Sequence, residues 1–109
     1  MKRLAFLGSS RNDLRAFPAQ VKSKAGFNLW EVQRGREPKD WKPMSAVGPG
    51  VKEIRIADES GAFRVVYVAT FADAVFVLHA FQKKAQRTPA RDIELARARF
   101  KELARRIAE

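Results

Sequence analysis

The chain contains 109 residues and carries a formal net charge of +10, from 22 Lys and Arg against 12 Asp and Glu. A chain of this length can bury one hydrophobic core, and its positive charge favours a polyanionic partner: nucleic acid, the ribosome, an acidic protein or an anionic membrane. The absence of cysteine excludes disulfides and thiolate chemistry, and no apolar run approaches the ~20 residues that a membrane span needs. We expect a single domain over residues 1–109, located in the cytoplasm without a membrane partner.

The first part of the sequence predicts one strand and two helices. Residues 3–7 form a short apolar strand, and Ser10 begins a short helix. Pro18 suits the first turn of a second helix. The apolar residues of this helix recur at helical spacing and are Val21, Ala25, Leu29 and Val32. Gly26 indicates a bend or a close backbone contact, and residues 35–50, rich in Gly, Pro and charge, are predicted to be a connecting loop.

The second part predicts an antiparallel meander followed by a helix. Three strands are expected at residues 51–58, 62–71 and 75–82, joined by short turns. Thr88 and Pro89 begin the last helix. Its apolar residues recur at spacings of three and four and are Ile93, Ala96, Phe100, Leu103 and Ile107. The resulting order, β-α-α-β-β-β-α, predicts an α+β fold in which N-terminal helices and a C-terminal helix pack on one antiparallel sheet.

Polar side chains interrupt the apolar strands of the meander. Every second residue of a strand points to the same side of the sheet. We expect the helices to cover the face that carries Ile54, Ile56, Phe76 and Leu78. The opposite face then gathers one carboxylate, one imidazole, one aromatic ring and several cations, namely Glu53, Arg55, Arg64, His79, Phe81 and Lys83.

This set of residues suits a phosphodiester better than other substrates. A guanidinium binds phosphate through two parallel hydrogen bonds, so Arg64 is the predicted phosphate ligand, with Arg55 sharing the charge. His79 and Glu53 are the candidates for acid and base, and Phe81 is the candidate for stacking on a base. RNA supplies its own nucleophile, the 2′-hydroxyl, so this chemistry requires neither a metal nor a cofactor.

Each of these residues also has a purely structural interpretation. His79 is the single histidine of the chain and can be a hydrogen-bonded structural group. Arg64 can be one half of a cross-strand ion pair, and Phe81 can be a core residue. Lys83 and Lys84 can be ordinary solvated lysines, although solvated lysines beside a cleft are also what attracts RNA. The sequence leaves these alternatives open.

Short segments spread over nearly the whole chain carry a resemblance to a known family. They are residues 13–18, 40–44, 51–55, 63–67 (Phe-Arg-Val-Val-Tyr), 78–84 (Leu-His-Ala-Phe-Gln-Lys-Lys), and 88–89 followed by a helix with 93–96. In order and spacing they resemble the phage-derived branch of the RelE/HigB-like toxins of type II toxin–antitoxin systems. The resemblance implies a microbial-RNase-like α+β fold.

The resemblance also implies an activity and partners. Many members enter the ribosomal A site and cleave mRNA without a metal, so the chain is expected to be a ribosome-dependent endoribonuclease that blocks translation and arrests growth. The implied partners are the ribosome, mRNA and a helix-turn-helix antitoxin encoded by a neighbouring gene. The family's phosphate-binding Arg maps to Arg64, and its Glu-Ile-Arg strand to Glu53 and Arg55. Its other matching motif positions, which imply an acid–base group and RNA contacts, are Tyr67, His79, Phe81, Lys83 and Lys84.

The sequence departs from the RelE pattern in one respect, and proteins of this fold have more than one function. Several RelE relatives carry a catalytic Tyr or His near the C-terminus, whereas this sequence ends in a basic helix, so the acid and base remain open. ParE-type toxins share the fold, inhibit gyrase and cleave nothing. A plain RNA-binding module is a further alternative, because fold likeness does not determine function.

Overall fold

The computed structural model describes residues 1–108. Within this range it contains five strands and three helices: β1 (Arg3–Phe6), α1 (Ser10–Arg15), α2 (Ala19–Gln33), β2 (Trp41–Pro43), β3 (Val51–Asp58), β4 (Gly61–Val68), β5 (Ala74–Lys83) and α3 (Ala90–Ala108). The strands form one sheet in the order β1-β5-β4-β3-β2. This confirms the predicted α+β fold with helices before and after the meander. None of the helices between residues 1 and 108 is long and apolar enough to cross a membrane.

The sheet is antiparallel except at one edge. β2, β3, β4 and β5 pair antiparallel, as expected for a meander, whereas β1 joins β5 in parallel. A parallel pair needs a long connection between its strands. Here the connection contains α1, α2 and the other three strands of the sheet, so the parallel pairing follows from the path of the chain.

The segment predicted as a connecting loop, residues 35–50, contains the edge strand β2, so the loop prediction is wrong for three of its residues. β2 pairs with residues 52–54 of β3. Pro43 is tolerated there because an edge strand has no partner on its outer side. A strand of three residues is too short to show an alternating pattern, and the surrounding Gly and Pro residues favour a loop. Met44, next to β2, is buried.

Helices cover both faces of the sheet and create two apolar cores. The first core lies under α1 and α2 and contains Leu14, Phe17, Val21, Ala25, Leu29, Val32, Ile54, Ile56, Phe63, Val65, Tyr67, Val75 and Val77. The second lies under α3 and contains Met44, Val47, Val51, Val66, Val68, Phe76, Leu78, Ala96 and Leu103. The predicted stripe of α2 is therefore confirmed. The prediction for Ile107 is wrong, because the last turn of α3 extends past the core and leaves this side chain 48% exposed.

A β-bulge in β5 changes which of its residues share a face. Val66 of β4 pairs with His79, and the next residue, Tyr67, pairs with Val77. Leu78 is therefore an extra residue in β5, and its carbonyl accepts a hydrogen bond of 2.8 Å from Nη1 of Arg99 in α3.

Because of the bulge, the faces predicted for residues 75–78 of the last strand are wrong. Phe76 and Leu78 belong to the core under α3, on the side opposite Ile54 and Ile56. Simple alternation fails there because the extra residue shifts the pattern by one position. From His79 onward the predicted alternation agrees with the register.

Gly48 lies beneath α3, and its substitution tests how closely this helix packs. A Cβ at residue 48 would lie 2.5 Å from ring carbons of Phe100. We expect Gly48→Ala to reduce the free energy of unfolding by about 1–3 kcal/mol, because the ring or the helix must move. Urea denaturation measures the change.

Gly26→Ala is the matched control for that experiment. Outside its own helix, no heavy atom of residues 1–108 lies within 4 Å of a Cβ built at Gly26, so the structure shows no close contact there. This substitution should increase the free energy of unfolding by up to ~1 kcal/mol, because Ala is the better helix former. A Gly48→Ala variant as stable as the unsubstituted chain would contradict the packing of α3 described above.

Candidate functional site

Three buried titratable or charged side chains lie on the sheet face that α3 covers. Glu53, Arg64 and His79 are 0%, 6% and 5% exposed. The register aligns Arg64 with both Arg55 of β3 and Phe81 of β5. The predicted polar face therefore exists, although it is largely buried rather than open.

Glu53 is surrounded by cations. The Nε of Arg64 lies 3.5 Å from Oε1 of Glu53, and the Nζ of Lys42 lies 3.9 Å from the same oxygen. Neither carboxylate oxygen accepts a hydrogen bond from a residue in the described part of the chain. A fully buried carboxylate held by two cations is suited to positioning them, and its burial disfavours the predicted role in proton transfer.

The guanidinium of Arg64 is oriented by the backbone as well as by Glu53. Nη1 donates a hydrogen bond of 3.0 Å to the carbonyl of Phe63. With Nε directed at Glu53, Nη2 is the nitrogen best placed to bind an anion. Burial lowers the pKa of Arg64, and the charge of Glu53 opposes this effect.

Further cations lie close to Arg64. Arg55 is exposed and pairs in register with Arg64, while Lys83 is half-buried at the end of β5. Partial desolvation, followed by repulsion from Arg64 and Lys42, lowers the pKa of Lys83. Repulsion from Arg64 and Lys42 is the smaller of these causes, and an anion such as phosphate bound between the three cations would relieve it.

His79 contacts both α3 and Phe81, which lies two residues further along β5. Its Nε2 lies 2.7 Å from Oδ1 of Asp92 in the first turn of α3. The imidazole stacks on Phe81, with 4.9 Å between ring centroids and 20° between ring planes. The other ring nitrogen, Nδ1, is buried and has no hydrogen-bond partner in residues 1–108.

An open groove of about 430 Å³ adjoins these residues. β2, the end of β5 and the start of α3 form its walls, and three of its lining residues are cations: Lys42, Lys83 and Arg87. We call this feature the basic groove. Its positive charge suits a single nucleic-acid strand, whose backbone carries one negative charge per nucleotide.

One comparison with known proteins places the chain in a family. A family model described as "Phage derived protein Gp49-like (DUF891)" matches residues 12–101. The chain belongs to the Gp49-like family. Gp49-like proteins are a RelE/HigB-like toxin family of toxin–antitoxin systems, and an antitoxin is their partner in general. No curated protein matches the chain.

The structure separates two of the predicted RNA contacts of this Gp49-like chain from the buried cluster. Tyr67 is 1% exposed and lies in the core under α2, on the opposite face of the sheet. Burial raises the pKa of its hydroxyl. Lys84 follows the end of β5 and is exposed. Tyr67 is therefore a core residue, while Lys84 lies beside the groove without belonging to the sheet face.

Sequence reasoning missed three residues of the Gp49-like site. Lys42 comes from the segment that was predicted as a loop and Arg87 lies between the last predicted strand and helix, and charge alone does not distinguish them from other surface cations. Asp92 carries a signal of a different kind, because an acidic residue in the first turn of a helix is favoured by the helix dipole. That signal predicts a helix start and does not indicate the contact with His79.

The assembled site has the parts needed to bind and transform a phosphodiester. Arg64, Arg55 and Lys83 can neutralise charge that develops on phosphate. His79 supplies an imidazole, which can act as an acid or a base. Phe81 offers an aromatic face for a base.

Proposed function

We propose that this chain is the toxin of a type II toxin–antitoxin pair and acts as a ribosome-dependent, metal-independent mRNA endonuclease that blocks translation. The observation that carries this proposal is the cluster of cations around Arg64, beside an imidazole and at the edge of the basic groove. Family membership supports the toxin assignment. The ribosome and mRNA are the proposed targets.

In the proposed reaction, Arg64 binds the scissile phosphate through Nη2. The 2′-hydroxyl of the RNA attacks phosphorus, and negative charge accumulates on the phosphate oxygens. Arg55 and Lys83 share this charge with Arg64, which lowers the barrier. Phe81 stacks on a base next to the scissile bond, and His79 exchanges a proton with the RNA.

The proposed antitoxin is a helix-turn-helix protein encoded by the neighbouring gene. A chain with a net charge of +10 attracts nucleic acid non-specifically when it has no partner. An acidic or amphipathic segment of the antitoxin would cover part of the basic surface and suppress that attraction.

Induced expression in growing cells separates the proposed activity from its alternatives. We expect growth arrest with mRNA cleaved within translated regions and chromosomal DNA intact. Growth arrest with intact mRNA and accumulating DNA breaks would instead indicate a ParE-like inhibitor of gyrase. Unaffected growth, together with RNA binding that weakens steeply with salt, would indicate a plain RNA-binding module.

Lys83→Gln should weaken RNA binding through loss of one phosphate contact. We expect the slope of log affinity against log salt concentration to fall by about 0.7, the value for one phosphate on a single strand. Fluorescence anisotropy of a labelled single-stranded RNA, titrated at several KCl concentrations, measures this slope. The control is Lys22→Gln, which removes an exposed lysine from α2 on the other side of the sheet. Equal slopes for the two variants would contradict the placement of RNA in the basic groove.

A further inference from the structure

The two ring nitrogens of His79 have different environments. Nε2 is bound by Asp92 at 2.7 Å, whereas Nδ1 is buried without a partner in the described residues. Stacking on Phe81 holds the ring plane. Two contacts therefore fix the imidazole in one orientation, and neither contact uses Nδ1.

Asp92 is directed at His79 rather than at solvent. Its side chain is 13% exposed, and among residues 1–108 its one ion-pair partner is His79. Glu94, two residues further along the same helix, is exposed and makes no ion pair in the described chain. The helix dipole favours an acidic residue in the first turn of α3 whichever way its side chain points, so the dipole alone does not explain why Asp92 points into the sheet.

We propose that Asp92 is a positioning residue, which holds His79 through Nε2 and makes Nδ1 the nitrogen that exchanges a proton with RNA. This inference rests on the proposed function. In a neutral imidazole the proton is on Nε2 and donates a hydrogen bond to the carboxylate of Asp92, so the lone pair lies on Nδ1. A buried nitrogen without a partner is rare in folded proteins and is expected where the missing partner is a ligand.

The proton step follows from this arrangement. As the 2′ oxygen forms its bond to phosphorus, Nδ1 takes the 2′-hydroxyl proton. The bond between phosphorus and the 5′ oxygen breaks, leaving a 2′,3′-cyclic phosphate, and the 5′ oxygen takes a proton from a water molecule. The proton on Nδ1 then neutralises the resulting hydroxide, so the imidazole returns to its neutral form. Nδ1 is covered in the RNA-free chain, so RNA binding must uncover it. Phe81, half-buried and stacked on the ring, is the side chain placed to move onto an RNA base, and the contact between Nε2 and Asp92 then keeps the ring oriented.

Nitrogen NMR tests the positioning role directly, because His79 is the single histidine of the chain. At a pH where the ring is neutral, we expect ¹⁵N-labelled protein to show the proton on Nε2 and the lone pair on Nδ1. In Asp92→Asn the proton should be shared between the two nitrogens or move to Nδ1. Glu94→Gln, with the same change of charge in the same helix, should retain the original spectrum. A proton on Nδ1 in the unsubstituted chain, or an unchanged spectrum in Asp92→Asn, would overturn the proposal.

The rate of mRNA cleavage on purified ribosomes gives the second readout. We expect Asp92→Asn to lower the cleavage rate at saturating protein by at least about tenfold, with little change in the concentration needed for half saturation. Asp92→Glu should recover part of the rate. An Asp92→Asn variant that cleaves at the original rate would overturn the catalytic part of the proposal. Absence of cleavage by the unsubstituted chain would instead refute the proposed function, whereas the NMR result would still test the role of Asp92.

Discussion

Replacing Arg64 by Lys is expected to reduce mRNA cleavage by about 100-fold and to relieve growth arrest. The substitution keeps one positive charge beside Glu53, so the buried carboxylate retains a counter-ion. It removes the planar fork that can bind Glu53 and a phosphate oxygen together. Cleavage on purified ribosomes and growth after induction both measure the effect, and circular dichroism shows whether the chain is folded.

Arg64→Ala extends this test. It should be at least as inactive as Arg64→Lys, but it leaves Glu53 without its close counter-ion. Combining it with Glu53→Gln removes both charges and protects the fold. Full toxicity of folded Arg64→Lys, or of the folded double variant, would show that the phosphate is bound elsewhere. Arg105→Lys, at an exposed position on α3, is the control and should remain toxic.

Replacing Glu53 by Gln is expected to destabilise the chain by about 3 kcal/mol, because Arg64 and Lys42 lose the buried charge between them. Urea denaturation measures the loss. The matched control is Glu59→Gln in the exposed turn between β3 and β4, which should change stability by less than about 0.5 kcal/mol.

A double-mutant cycle shows whether Glu53 acts through Arg64. Arg64→Met should be destabilising alone, and its combination with Glu53→Gln should cost less than the sum of the two single changes. Simple additivity would mean that the two groups are not coupled. An unaltered stability of Glu53→Gln would contradict the role of Glu53 as the anchor of the cation cluster.

Strand alternation was sufficient to predict the composition of the buried cluster. Glu53, Arg64 and His79 interrupt apolar strands at positions that a meander brings to one face, and the bulge does not alter this because it precedes His79 in β5. The prediction that this face is open was wrong. The helix that covers it begins after residue 89, and a sequence pattern does not show over which face of a sheet the last helix folds.

The remaining features depend on contacts between segments that are distant in sequence. The sequence around Leu78 is an uninterrupted apolar run and gives no sign of an extra residue, because a bulge is defined by the register with the partner strand. Alternation within β4 places Tyr67 on the face opposite Arg64, and Tyr67 is buried because α2 packs over that face. The contact between Asp92 and His79 joins a helix start to a strand, and local spacing carries no signal for it.

Primer extension on mRNA incubated with purified ribosomes and this protein tests the central claim most directly. The account predicts new 5′ ends inside the translated region with the unsubstituted chain, and their loss with Arg64→Lys. These ends should require ribosomes. Intact mRNA on translating ribosomes, with a folded protein that still arrests growth in cells, would contradict the assignment as an endoribonuclease.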